Sequence, residues 1–394
     1  MSAGMLAGVT GRWSLRRVVP RAEPWCAPDL RRVLQLSLAA VWLFDGVLQL
    51  QPYMFTPAFG TQMLAPMAQG NPGVVADAIN WSARVTAGHA MLAGTAFAAI
   101  QLLIAVGIAW RPTVKTALVV SVVWSLGVWW IGEGAGDLFA GTASPLTGAP
   151  GAVLLYALLA VLLWPSPADD ARRAGGFVAA RPIGALPARL IWFVLWGGLA
   201  ALAVSSVNRQ PEGVRDTVSS MAAGQPHWLS ALDQAVARDV AGRGLEVSVG
   251  LAVIFAVIAL GVFAPRRIVR AVLAFAAGVA AIIWVVGEGF GGVFSGPATD
   301  PNSGPLLILL AAAYWPLRPS RSSEDEFGSV LAGAAVHGAS APAGDGGGAP
   351  AGGGAPAGDG GGPPAGGGAT AGASATRTAT VTPAPRAAES GLSR

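Results

Sequence analysis

The stretch WWIGEGAGDLFAG runs from Trp129 to Gly141, and WVVGEGFGGVFSG runs from Trp284 to Gly296. Both carry GEGxGxxFxG directly after a long apolar run. Further pairs flank them in the same order. Gln51–Pro52 is answered by Gln210–Pro211, and MAQGNP at Met67–Pro72 by MAAGQP at Met221–Pro226. Pro150 is answered by Pro305, and Trp164–Pro165 by Trp315–Pro316. Matches that keep their order and near-constant spacing read as a tandem duplication. Each copy holds four apolar runs, an even number, so both copies start and finish on the same side of a membrane. The repeats are then parallel, related by an axis along the membrane normal, and the two glycine stretches share one face.

The membrane assignment rests on composition. The 394 residues are 53% hydrophobic and 12% charged, with a mean hydropathy of +0.55. A soluble domain carries roughly 25% charged residues. The apolar runs approach the ~20 residues that a helix needs to cross a hydrocarbon core. They predict helices over 32–50, 88–109, 114–131, 150–164, 188–207, 245–263, 268–286 and 304–317. The fold class is therefore an all-α polytopic membrane protein of about eight transmembrane helices in two parallel four-helix repeats. The expected divisions are a basic cytoplasmic segment at 1–31, repeat 1 at 32–165, a cytoplasmic linker at 166–187, repeat 2 at 188–317, and a cytoplasmic tail at 318–394. The tail is rich in Gly, Pro and Ala, cannot bury enough apolar area to offset ordering entropy, and is expected to be disordered.

A pI near 10.0 raises nucleic-acid binding, but the arginines fall in short clusters between apolar runs instead of on one patch. With the N-terminus inside, the inner segments hold Arg31, Arg32, Arg111, Lys115, Arg189, Arg266, Arg267 and Arg270, among others. The outer ones hold only Arg84, Arg209, Arg215, Arg238 and Arg243. That bias places both termini in the cytoplasm of a bacterial inner membrane, with the glycine stretches outside. The lipid bilayer is the first partner, with other membrane or envelope proteins after it. Residues 1–30 lack the apolar core of a cleavable signal, so the first span acts as an anchor. Cys26 is the single cysteine, and the three scattered histidines offer no zinc-type spacing.

Two sets of residues are candidates for a site. The first is the pair of loops, Gly132, Glu133, Gly134 and Gly136 with Gly287, Glu288, Gly289 and Gly291. A helix C-cap needs one glycine and no acid; these loops keep an acid and three glycines twice. A bare backbone permits close approach, and the carboxylate then binds a cation, a proton or a positive headgroup. The alternative is loop structure alone. GEGFGG also satisfies GxGxxG, but it follows a helix instead of a strand, so it is no dinucleotide fingerprint. The second is Asp45, an acid inside the first span, where an ionisable side chain is costly and marks function by default; the alternative is that it reaches the outer interface or caps a neighbouring backbone. Met54, Met63, Met67, His89 and Met91 offer soft ligands suited to copper(I), or ordinary gap-filling. Asp300 and Asn302 either add oxygen ligands or form a turn.

Four helices per unit, a first helix ending in VWLFDGVLQLQP, an interfacial outer segment and then MLAGTAFAAIQLLIAVG resemble the DoxX-like family of small four-helix membrane proteins. The resemblance implies a quinone-linked oxidation role, with Asp45, Glu133, Trp124, Trp129 and Trp130 around a quinone. The absence of a cysteine pair departs from the family's thiol chemistry. Three functions stay open. One is a non-catalytic binding, transport or envelope protein with a paired outer Gly/Glu site. The others are a quinone-linked oxidoreductase subunit and a membrane scaffold.

Overall fold

The computed structural model describes residues 29–166 and 176–317. The basic segment before Asp29, the middle of the linker and the Gly/Pro-rich tail lie outside the described residues, as do Cys26 and His337. All regular structure among the described residues is helical, with no strand.

In the first half, α1 is Leu30–Leu48, α2 Gly73–Gly88, α3 Ala90–Ala109, α4 Val114–Ile131 and α5 Ala152–Leu162. In the second, α6 is Ala185–Ala203, α7 Gly213–Met221, α8 His227–Val240, α9 Gly244–Gly261, α10 Arg266–Ile282 and α11 Ser303–Ala313. Among the described residues five helical stretches are long and apolar enough to cross a membrane: Ala90–Ala109, Arg111–Ile131, Ala185–Ala203, Gly244–Gly261 and Arg266–Gly287. Their outward faces are apolar too. On α9, Leu245, Val249, Val253, Val257 and Leu260 are all exposed and share one stripe at helical spacing. Water penalises such a stripe, whereas lipid does not, and this is an all-helical membrane protein.

Packing runs in parallel in the two halves. α1 lies on α3 and α4 on α5; α6 lies on α9 and α10 on α11. α5 and α11 also meet each other, which joins the halves. Both are 11-residue helices with most of their residues buried, as expected of helices that are apolar all round. Eleven residues rise only ~16 Å, about half of the ~30 Å core. Ahead of each runs a loop that is itself partly buried, including Ala135, Ala143, Leu146 and Ala149 in the first half.

Aromatic side chains fill the interior. Trp42 of α1 packs on Tyr156 of α5 at 4.4 Å between ring centroids, and its indole donates to Ser121 of α4 at 3.1 Å. In the second half Trp192 packs on Tyr314 at 4.9 Å and donates to the Ile258 carbonyl at 3.0 Å. At the end where α1 begins, Asp29 accepts from the Arg31 amide at 3.2 Å, capping the helix. Arg32 reaches across to the last turn of α3, donating to the Ile108 carbonyl at 2.9 Å and to that of Ala109. A cation there complements the helix dipole.

The apolar runs anticipated the long helices to within a few residues. They missed α2, α7 and α8, which lie in segments with no apolar run. These are amphipathic helices, and polar residues on one face interrupt the hydropathy that marks a span.

Candidate functional site

Each glycine stretch forms one left-handed turn. Gly134, Ala135, Gly136 and Asp137 have φ of 56°, 54°, 64° and 58°; Gly289, Phe290, Gly291 and Gly292 have 51°, 58°, 71° and 67°. A run of left-handed residues costs roughly 1–2 kcal/mol for each one with a Cβ, so glycines recur here. Gly136 and Gly291 are needed twice over. A Cβ on Gly136 would lie 2.5 Å from the Pro150 carbonyl carbon, and one on Gly291 2.5 Å from that of Pro301. The same two prolines receive the tryptophans that open the stretches. Trp129 Nε1 donates to the Pro150 carbonyl and Trp284 Nε1 to that of Pro301, each at 2.7 Å. The structural partner of Pro150 is thus Pro301, not the Pro305 that the sequence match chose.

The two loops touch. A Cβ on Gly287 would strike the Leu146 carbonyl, and one on Gly148 would strike the Asn302 side chain. Gln51 donates to the Ala298 carbonyl at 3.0 Å. The second loop therefore carries Asp300 against the first half.

The paired glutamates sit in unlike environments. Glu288 is 2% exposed. It accepts from the Ser303 hydroxyl and, at 3.0 Å, from the Gly304 amide. Burial raises it to about 7, less than it otherwise would because those hydrogen bonds favour the anion. Glu133 receives one long bond, from the Val153 amide at 3.4 Å, and its Oε2 is buried with no partner. Burial, with Asp300 beside it, pushes Glu133 up to about 8. Burial also raises Asp300, although Thr299 and the Asn302 amide each donate to it at 2.8 Å.

Glu133 faces a cavity of about 630 Å³ inside the first half. α1 contributes Trp42, Asp45 and Gln49, α3 contributes Phe97, Ile100 and Gln101, and α4 contributes Val119, Val123, Trp124 and Gly127. The segment between α1 and α2 covers it with Phe59, Met63, Leu64 and Met67, and the second half inserts Thr299 and Asp300. Its wall includes the exposed side of α4, where Val119, Val120 and Val123 face outward. Four acceptors in this lining are buried without partners: Asp45 Oδ1, Gln49 Oε1, Gln101 Oε1 and Glu133 Oε2. Buried polar atoms are nearly always hydrogen-bonded, so four orphans in one cavity leave donors to be supplied there by water or a ligand. A smaller pocket of about 160 Å³ lies against Glu133 and Asp300 and is also lined by Asp137, Gly148 and Asn302.

Of the residues singled out in the sequence, Asp45, Gly132 and Glu133 line the large cavity, with Asp300. Gly134 and Gly136 build the turn behind them. Gly287, Glu288, Gly289 and Gly291 build the matching turn and lie outside the lining of the large cavity. Trp124 lines it, but Trp129 is held by Pro150 and Trp130 packs on Phe139 at 6.3 Å. The methionine–histidine set disperses: Met54 is in the core, Met91 is 67% exposed, and only Met63 and Met67 line the cavity. Among the described residues no three His, Cys, Asp or Glu side chains are grouped to hold a metal ion. Gln49 and Gln101 went unnoticed in the sequence; an amide within an apolar run was the available signal.

No protein-family model matches the chain, and neither a curated protein nor a solved structure matches it.

Proposed function

We propose that this is an eight-span protein of a bacterial inner membrane that binds an amphipathic, membrane-soluble molecule in the cavity of its first half. The polar end of that molecule meets Asp45, Glu133 and Asp300, and its apolar body lies along α3 and α4. The observation that carries this reading is the set of four unpartnered acceptors lining one apolar cavity. The volume falls within the ~300–1,000 Å³ typical of small-molecule sites. Entry is from the bilayer, past Val119, Val120 and Val123. Both termini are cytoplasmic and the glycine turns face outward, as the arginine bias implies.

The duplication belongs to the same reading. The matched left-handed turns, the matched tryptophan-to-proline bonds and the equal lengths of α5 and α11 support it. In this account the second copy became a structural partner and the first kept the ligand. The rival reading is the quinone-linked subunit that the DoxX-like resemblance implies. It draws on Trp124 and Phe97, whose rings lie 5.6 Å apart in the cavity wall, and it places quinol hydroxyls on the same acceptors.

The test fills the cavity. Gly127 lines it, and a Cβ there meets nothing within 4 Å. Protein purified in lipid nanodiscs would be extracted and its small molecules identified by mass spectrometry, beside Gly127→Trp. A species retained by the wild type and lost from a folded Gly127→Trp supports the proposal, and a quinone among such species would favour the rival. Identical extracts would overturn the ligand-binding reading.

A further inference from the structure

The lining of the cavity also bears on the charge of its ligand. Three carboxylates, Asp45, Glu133 and Asp300, line it, and no Lys, Arg or His does so among the described residues. Asp45 and Gln49 are 2% and 3% exposed and Gln101 is 8% exposed, so these three side chains cannot turn their orphaned oxygens to bulk water. Asp45 and Gln101 stand at one level, because Gly46 packs directly on Leu102. Tyr156 holds its hydroxyl beside Asp45, and the other orphaned oxygens, acceptors while Glu133 is ionised, ask for donors. Trp42, Trp124, Phe59 and Phe97 also line the cavity; an aromatic face attracts a desolvated cation. A buried carboxylate without a counter-charge is costly: it holds a proton, as Glu133 does below about pH 8, or it gains a cation.

We infer that the ligand is an apolar cation, a protonated amine on a hydrophobic body. Its ammonium lies between Asp45, Glu133 and Asp300 and shares its three N–H donors among the orphaned oxygens. The inference rests on the ligand-binding reading and narrows it. A quinone brings carbonyl acceptors to a wall that already has four acceptors to satisfy. A quinol supplies donors but no charge.

Three probes sharing one body separate these cases: 4-butylbenzylamine as its ammonium, 4-butylbenzyl alcohol, and 4-butylbenzoate. Binding would be measured calorimetrically on the full chain in phosphatidylcholine nanodiscs, beside empty nanodiscs and Gly127→Trp. The ammonium should bind at least tenfold tighter than the alcohol, and the benzoate weakest. Asp45→Asn and Glu133→Gln should each lower ammonium affinity by tenfold or more and shrink its advantage over the alcohol, and a cooperative thermal unfolding transition reports that each variant is folded. If the alcohol or the benzoate matches the ammonium in the wild type and Gly127→Trp abolishes both, the cationic class is wrong and the ligand site stands. If no probe binds beyond its partition into empty nanodiscs, the ligand-binding reading falls with it.

Discussion

Ala152 opens α5 as Ser303 opens α11, and this one hydroxyl separates the two glutamates. Ser303 donates to Glu288, and the next amide, that of Gly304, donates as well. The Ala152 side chain has nothing to donate, and Glu133 keeps only the long bond from the Val153 amide. The sequence treats Glu133 and Glu288 as equals, whereas the structure makes one a satisfied loop anchor and the other a wall of a cavity.

Exchange of these two residues is therefore informative. Ala152→Ser should give Glu133 a donor and lower ammonium affinity several-fold without loss of stability. Ser303→Ala should leave a buried carboxylate oxygen short of a partner, at a cost of about 1–3 kcal/mol. Thermal unfolding in nanodiscs, with the binding assay above, measures both. Equal behaviour of the two variants would contradict the asymmetry.

The turns have their own test. Gly136→Ala adds a Cβ at φ 64° and against the Pro150 carbonyl, and Gly291→Ala does the same at φ 71° against Pro301. Each should lose more than the ~1–2 kcal/mol of left-handed strain alone. Gly127→Ala, in a helix with open space beside it, should be neutral or slightly stabilising. The measurement is again the unfolding midpoint.

The pH dependence follows from the raised carboxyls. Glu133 goes from an ordinary 4.5 to about 8 and Glu288 from 4.5 to about 7. Between those values the folded chain holds more protons than the unfolded one, so stability is greatest at low pH and falls as pH rises toward 8. Glu133→Gln should flatten the upper part of that slope. A cation binds the deprotonated carboxyl, so ammonium affinity should instead rise over the same range. An unfolding midpoint that climbs from pH 5 to pH 8 would contradict this assignment.

Orientation is tested with Thr142, an exposed residue beyond the first turn. In a Cys26→Ser background, Thr142→Cys should react with an impermeant maleimide added to intact cells. Lys115→Cys, at the opposite end of α4, should react only after permeabilisation. The reverse pattern would invert the topology.

The long helices were legible because crossing a bilayer demands an unbroken apolar run, and no other feature of this chain mimics one. The run at 114–131 became Val114–Ile131, and that at 88–109 became Ala90–Ala109. The glycine turns were legible as unusual, but not as left-handed, since spacing alone does not fix φ. Asp45 was visible as an acid inside one apolar run and Glu133 as an acid at the edge of another. That Asp300 joins them was not, because it arrives from the other half through a contact between loops. Gln49 and Gln101 were overlooked because an uncharged amide scarcely disturbs hydropathy, although burial makes it costly.

The most direct test of the ligand site is photolabelling. A membrane-soluble benzylamine carrying a diazirine would be added to the full chain in nanodiscs, and the labelled peptides mapped by mass spectrometry. Label should concentrate on the cavity wall, at Phe97–Gln101 and Val119–Val128, and be displaced by excess unlabelled amine. Label spread evenly over the outward stripe Leu245–Leu260, and indifferent to competitor, would contradict it.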